Sequence, residues 1–134
     1  MSLPDYMPVS QVMRKEVTFV NGITSVFEAL RIMKKVQGTS LIVEKRHDTD
    51  EYGMLLFSDI AKQVLAKDRA PERVAVYEIM AKPVISVRPS MDIRYCARLF
   101  DNFGISHAPV IENDNVVGIV SYYLLVLEGL PSLE

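Results

Sequence analysis

The sequence is poor in several features, and each shortage excludes a class of protein. A single cysteine, Cys96, excludes an intramolecular disulfide and favours a reducing compartment. The 15 basic and 17 acidic residues nearly cancel, so the strongly basic surface typical of nucleic-acid-binding proteins is missing. No apolar run approaches the roughly 18 residues that a membrane span needs. We therefore expect a cytoplasmic protein that binds neither nucleic acid nor membrane.

Signatures of catalysis are also missing. The sequence has no Walker-type phosphate loop, no HExxH zinc motif and no GxSxG nucleophile motif. One short segment contains four potential metal ligands, namely His47, Asp48, Asp50 and Glu51. This segment lies between two apolar runs and has no second histidine nearby, so a solvated turn is favoured over a metal site. We expect neither an enzyme nor a bound metal.

An internal repeat is the main positive feature of the sequence. An offset of 67 aligns residues 13–20 with residues 80–87 and places methionine, lysine and two valines in register. After a turn that is two residues shorter in the second copy, residues 53–55 align with residues 118–120. With 49% hydrophobic residues the chain can bury a core. A duplicated unit with one length change in a turn explains both alignments.

Both copies predict the same order of elements. An extended lead (17–20; 84–87) precedes an amphipathic helix (25–36; 92–103), two apolar strands (40–44 and 53–56; 107–111 and 117–120) and a helix that starts near Ser58 or Ser121. Asp92 is predicted to cap the second amphipathic helix. One sheet would leave apolar surface exposed. We therefore predict an α+β fold of two tandem β-α-β-β-α repeats, packed sheet to sheet with pseudo-two-fold symmetry.

The repeats are predicted to span residues 9–66 and 76–128. The segment between them, residues 67–75, is rich in charge and contains Pro71, which disfavours helix at the preceding residue. We interpret this segment as a connector.

The stretch GISHAPVIENDNVVGIVS, residues 104–121, resembles the strand-turn-strand signature of the cystathionine-β-synthase (CBS) domain. The first copy, GTSLIVEKRHDTDEYGMLLFSDI, matches more loosely but keeps a Ser-Asp pair before its last helix. From Val9 to about Glu128 the chain resembles a CBS domain pair, or Bateman module. The resemblance implies a small-molecule sensor that binds AMP, ADP, ATP or S-adenosylmethionine in clefts between the repeats. It further implies that no cofactor is required, and that a homodimer regulates an enzyme or transporter.

Asp59, Ser58 and Ser121 are the candidates for ribose and phosphate binding. A carboxylate such as Asp59 can accept hydrogen bonds from both hydroxyls of a ribose. Phosphate binds at helix N-termini, where Ser58 and Ser121 are predicted to lie. The alternative is that these residues only cap helices, as serine and aspartate do in many proteins that bind nothing. The resemblance favours ribose binding for Asp59.

The resemblance also implies adenine contacts from the lead and from the loop that enters the first strand of the hairpin. The candidates are Thr18, Val84, Ile85, Ile105, His107 and Pro109. Pro109 would give this loop a rigid corner. The alternative for the apolar residues is ordinary core packing, and for His107 a surface or interface position.

The sequence departs from the family pattern, which places Thr or Ser three residues before Asp within one repeat. The first copy has Leu56 and Asp59, whereas the second has Ser121 and Leu124. Two equal nucleotide sites are therefore not expected. A second hypothesis is a dimerisation or docking module that binds no nucleotide. The apolar run SYYLLVLEGL, residues 121–130, favours a partner surface, most simply for a second copy of the chain.

Overall fold

A computed structural model describes residues 6–130. The chain forms two compact units. We call residues 18–84 the central unit, and residues 6–17 together with residues 85–130 the terminal unit. Each unit combines helices with a small sheet and has its own apolar cluster, so the predicted α+β class is confirmed.

The central unit contains a three-stranded sheet and two helices. Its elements are β1 (Phe19–Val20), α1 (Val26–Val36), β2 (Ser40–Val43), β3 (Gly53–Leu56) and α2 (Phe57–Ile60), which continues as a π-helical segment (Ala61–Leu65). Strand β1 is parallel to β2, and β2 is antiparallel to β3. Short 3-10 turns follow at Pro71–Arg73 and Val76–Glu78. The buried face of α1 packs on the strands, with Met33 and Leu41 each 1% exposed.

The terminal unit repeats this plan with a longer hairpin. Its elements are a 3-10 turn (Val9–Gln11), α3 (Ile93–Phe103), β4 (His107–Glu112), β5 (Asn115–Ser121) and α4 (Tyr122–Gly129). Strands β4 and β5 are antiparallel. The predicted lead at 84–87 pairs only through Val87, which forms a parallel bridge to Val110.

The bounds of the amphipathic helices agree with their predicted periodicity because both ends are marked locally. Ser25 accepts a hydrogen bond from Glu28 N–H at 3.1 Å and so caps α1. Asp92 accepts one from Arg94 N–H at 2.8 Å, which confirms the predicted cap of α3. Helix α3 ends at Gly104, whose φ of 64° is a conformation that glycine adopts without a steric penalty.

The compact units do not coincide with the sequence repeats. The terminal unit contains the start of the first repeat, residues 9–17, and Arg14 bridges Ile119 of β5. The central unit contains the start of the second repeat, residues 76–84, and Ala81 bridges Met54 of β3. Two glycines permit these close approaches. A Cβ atom on Gly118 would lie 2.6 Å from Met13 Sδ, and one on Gly53 would lie 2.7 Å from Met80 Sδ.

Within residues 6–130, no helix is both long enough and apolar enough to cross a membrane.

Candidate functional site

The predicted site residues are divided between the two units. The central unit contains Thr18, Ser58, Asp59 and Val84, and the terminal unit contains Ile85, Ile105, His107, Pro109 and Ser121. Their assembly into two unequal clefts, one with Asp59 and Ser58 and one with Ser121, stays a prediction. The local geometry of each residue shows what it can contribute.

Asp59 lies half-buried in the first turn of α2. Its Oδ2 accepts a hydrogen bond from Leu56 N–H at 2.8 Å, so part of the carboxylate caps the helix. The other oxygen accepts no hydrogen bond from any residue of the described range. An ionised carboxylate offers about four acceptor positions, so one oxygen bound to the backbone leaves capacity for hydroxyl donors. Capping and ligand binding are therefore compatible at Asp59.

Helix α2 begins at Phe57, one residue before Ser58, so the predicted helix start near Ser58 is confirmed. Leu56 occupies the N-cap position without a side-chain hydrogen bond, and Ser58 is an exposed residue inside the first turn. In the second copy the hydroxyl of Ser121 caps α4, and Ser121 aligns with Leu56 rather than with Ser58.

Ser121 caps α4 from the end of β5. Its Oγ accepts a hydrogen bond from Leu124 N–H at 3.3 Å, and the residue is only 8% exposed. Strand pairing places Ser121 opposite His107. The hydroxyl proton remains available as a donor, since the cap uses only a lone pair.

His107 begins β4 and is half-buried. Its Nδ1 lies 2.8 Å from the Oγ of Ser106, a residue that the sequence analysis did not single out. Burial lowers the pKa of His107 below 6.5, because the imidazolium form loses hydration. Because Nδ1 is engaged by Ser106, the neutral ring offers Nε2 to a polar ligand, as donor or acceptor according to the tautomer.

The apolar candidates differ in what they leave open to a ligand. Thr18 and Val84 are half-buried, Ile85 is 36% exposed, and Ile105 packs against the terminal core. Pro109 is less than 2% exposed and lies within β4 opposite Ile119. The prediction that Pro109 forms a loop corner is therefore wrong, because the strand begins two residues earlier. Core packing is what the structure shows for this side chain.

The long hairpin turn of the central unit is ordered by Asp50. Its Oδ2 accepts hydrogen bonds from Arg46 Nε at 3.1 Å, Arg46 N–H at 2.9 Å and Lys82 Nζ at 2.8 Å. These contacts, those of Arg46 first, hold the pKa of Asp50 far below its usual range. With a side chain 7% exposed, Asp50 is not the solvated turn residue that we expected. Residues 6–130 include no cluster of histidine, cysteine and acidic side chains that could hold a metal ion.

In both units a capped amphipathic helix precedes a strand hairpin, and a second helix follows it. This order defines a tandem repeat protein. The family model for the CBS domain matches residues 9–66 and 76–126. The chain belongs to the CBS domain family.

Solved structures support this assignment. The chain is 36% identical to the hexameric CBS-CP12 protein from bloom-forming cyanobacteria, with a TM-score of 0.91 over 94% of this chain and 70% of that one. It is 26% identical to the CBS domain pair of protein MJ0100 in complex with 5'-methylthioadenosine and S-adenosyl-L-methionine. That match has a TM-score of 0.76 and covers 89% of this chain and 96% of the other.

Curated relatives are longer than the matched region. The chain is 36% identical over 113 residues to homoserine O-acetyltransferase of Methanosalsum zhilinae, which is 84% of this chain but 22% of the enzyme. It is 25% identical to the uncharacterized protein MK0525 of Methanopyrus kandleri and covers 58% of that protein.

Proposed function

We propose that the chain is a regulatory module that binds an adenosine derivative and transmits the bound state to a partner enzyme or transporter, without catalysis of its own. The ligand is AMP, ADP, ATP or S-adenosylmethionine. The observation that carries the proposal is the half-buried carboxylate of Asp59, of which only one oxygen is engaged by the backbone. The complex of the MJ0100 domain pair with two adenosine compounds supports the ligand class.

In this proposal Asp59 recognises the ribose. A hydrogen bond to a charged acceptor contributes about 1.5–3 kcal/mol. Loss of one ribose hydroxyl should therefore weaken binding by about tenfold or more. A 2'-deoxyadenosine nucleotide is the matched ligand for this comparison. The ligand can shift the conformation of the module only through a difference in affinity between two arrangements.

The test is nucleotide-induced thermal stabilisation of two variants at Asp59. Asp59→Asn keeps an oxygen that can accept from Leu56 N–H but removes the charge, whereas Asp59→Ala removes both. We expect both variants to lose the nucleotide-dependent rise in Tm, and the alanine variant alone to melt at a lower temperature without ligand. Asp48→Asn, an exposed substitution in the same unit, is the control. An unchanged rise in Asp59→Asn would remove Asp59 from the binding site.

A second candidate function is a docking module that forms a homodimer and binds no nucleotide. It is favoured by four apolar side chains on one face of α4 and its C-terminal end, each 45–65% exposed: Tyr123, Val126, Leu127 and Leu130. Their spacing of three and four residues is that of a single helix face. Apolar patches of this kind mark interaction surfaces.

The two candidates make different predictions for two measurements. Leu127→Glu should convert a dimer to a monomer in sedimentation experiments, with Glu128→Gln as the control on the same helix. If the chain shows no melting shift with any of the four adenosine compounds but dissociates on Leu127→Glu, the docking function holds and the sensor function does not.

A further inference from the structure

A cavity of about 750 Å³ lies beside the start of α3 in the terminal unit. Its walls include three arginines, two tyrosines and one aspartate: Arg88, Arg94, Arg98, Tyr6, Tyr95 and Asp92. None of the ligand-binding candidates described above lines this cavity. It is a separate feature of the molecule and needs its own explanation.

The cavity is basic although the protein as a whole is slightly acidic. Asp92 pairs with Arg94, with 3.2 Å between Oδ2 and Nη1. Arg88 and Arg98 have no acidic partner within residues 6–130. Among the described residues that line the cavity, three carry a guanidinium group and one a carboxylate, in a chain whose net charge is -2. Mutual repulsion of like charges favours an anionic occupant.

Two of the arginines, Arg94 and Arg98, have defined neighbours on α3. Arg94 and Arg98 lie one helical turn apart on α3, and the guanidinium of Arg98 stacks 5.3 Å from the ring centroid of Tyr95. At the rim, the hydroxyl of Tyr6 donates a hydrogen bond to the carbonyl of Ser90. The N-terminus of α3 is already capped by Asp92, so the arginines and not the backbone amides are the anion-binding groups.

We propose that this cavity binds a small molecule carrying two or more phosphate groups, at a site separate from Asp59. A guanidinium matches a phosphate through two parallel hydrogen bonds, and several guanidiniums match several phosphates. The volume admits a diphosphate with an attached group. Exposed tyrosine rings at the wall offer apolar contact to that group.

The three arginine positions of the cavity differ in the central unit, which provides a control. Alignment places Asn21, Phe27 and Arg31 at the positions of Arg88, Arg94 and Arg98. The one arginine retained, Arg31, forms an exposed ion pair with Glu28 at 3.6 Å.

The experiment is calorimetric titration of the full chain with inorganic pyrophosphate. We expect wild type and Arg31→Gln to bind it alike, and the double variant Arg88→Gln, Arg98→Gln to bind it about tenfold more weakly or worse. Both arginines are exposed, so melting curves of the double variant should match wild type. The double variant should keep the AMP-induced rise in Tm that Asp59→Asn loses, which separates this site from the adenosine site.

Three results would overturn the proposal. The first is that pyrophosphate does not bind to wild type, and the second is an equal loss of affinity in Arg31→Gln. The third is binding of a polyglutamate peptide as tight as that of pyrophosphate, which would identify a docking surface for acidic proteins instead.

Discussion

The central and terminal units share one plan but differ where a helix follows the hairpin. The central unit has Leu56 and Asp59 at this point, and the terminal unit has Ser121 and Leu124. Each unit therefore carries one of the two polar groups of the family pattern. In both units the retained group caps its helix, Asp59 through Leu56 N–H and Ser121 through Leu124 N–H. A cap needs only one acceptor, so either residue can serve as a cap without binding a ligand.

The two units also differ in the turn that precedes their amphipathic helix. In the terminal unit this turn begins with Arg88 and leads to a basic cavity, whereas the aligned residue of the central unit is Asn21. In the hairpin turn of the central unit, one carboxylate, that of Asp50, is held by two cations, Arg46 and Lys82. The two units thus share their core positions but differ in charge at the ends of their helices and strands.

Truncation of the largest core side chain should give the largest difference between the units. Phe100→Ala removes a fully buried ring that packs edge-on against Tyr122, with ring centroids 5.2 Å apart. We expect a loss of about 3–5 kcal/mol of unfolding free energy. Met33→Ala, at the aligned position in the central unit, should cost less because methionine lacks the ring contact. Urea unfolding measures both, and a larger cost for Met33→Ala would contradict the comparison.

Alanine at the two aligned strand glycines should distinguish the units, since overpacking typically costs about 1–3 kcal/mol and depends on how far the neighbours can move. A Cβ at residue 118 would meet the carbonyl oxygen of Arg14 at 2.9 Å, which is backbone and cannot move easily. A Cβ at residue 53 would mainly meet Met80 Sδ, which can rotate away, and the nearest backbone oxygen is 3.3 Å distant. Gly118→Ala should therefore lower Tm more than Gly53→Ala. Equal drops in Tm would show that the contacts around the two glycines adapt equally well to an added Cβ.

Asp50→Asn should destabilise the chain at neutral pH by removing the charge that accepts from Arg46 and Lys82. The pKa of Asp50 is lowered in the folded state, so its stabilising effect is present above the ordinary pKa of 3.8 and is lost as the pH falls toward the folded value. The gap in Tm between wild type and variant should be full at pH 7 and should narrow below pH 3.8. Asp48→Asn, at an exposed position in the same hairpin turn, is the matched control. A gap independent of pH would contradict the role of the charge.

The helix caps should give the smallest effects. Ser25→Ala and Asp92→Ala each remove one cap, at a typical cost of about 1 kcal/mol. Asp92→Ala should cost more, since a negative charge at the helix N-terminus and its pair with Arg94 are lost as well. Thermal melts of the two variants test this order, and we expect the smaller drop in Tm for Ser25→Ala.

The helices and hairpins of this fold could be predicted from the sequence because their signals are local. The periodicity of Val26, Ala29 and Met33 defines α1, and Asp92 marks the start of α3 within one residue. The position of Asp59 at a helix start could also be predicted. The start of α2 could not be predicted to the residue, since Leu56 provides no polar signal at the cap.

Sequence alone determined the duplication, the element order and the unequal distribution of Ser and Asp between the copies. Tertiary structure alone decided that Met13 covers Gly118, that Pro109 is sealed inside β4, and that Asp50 meets Lys82 from 32 residues away. The physical reason is that periodicity and capping depend on neighbours within a few residues. Close packing and ion pairing depend instead on which distant segments reach the same place, and no local pattern encodes that.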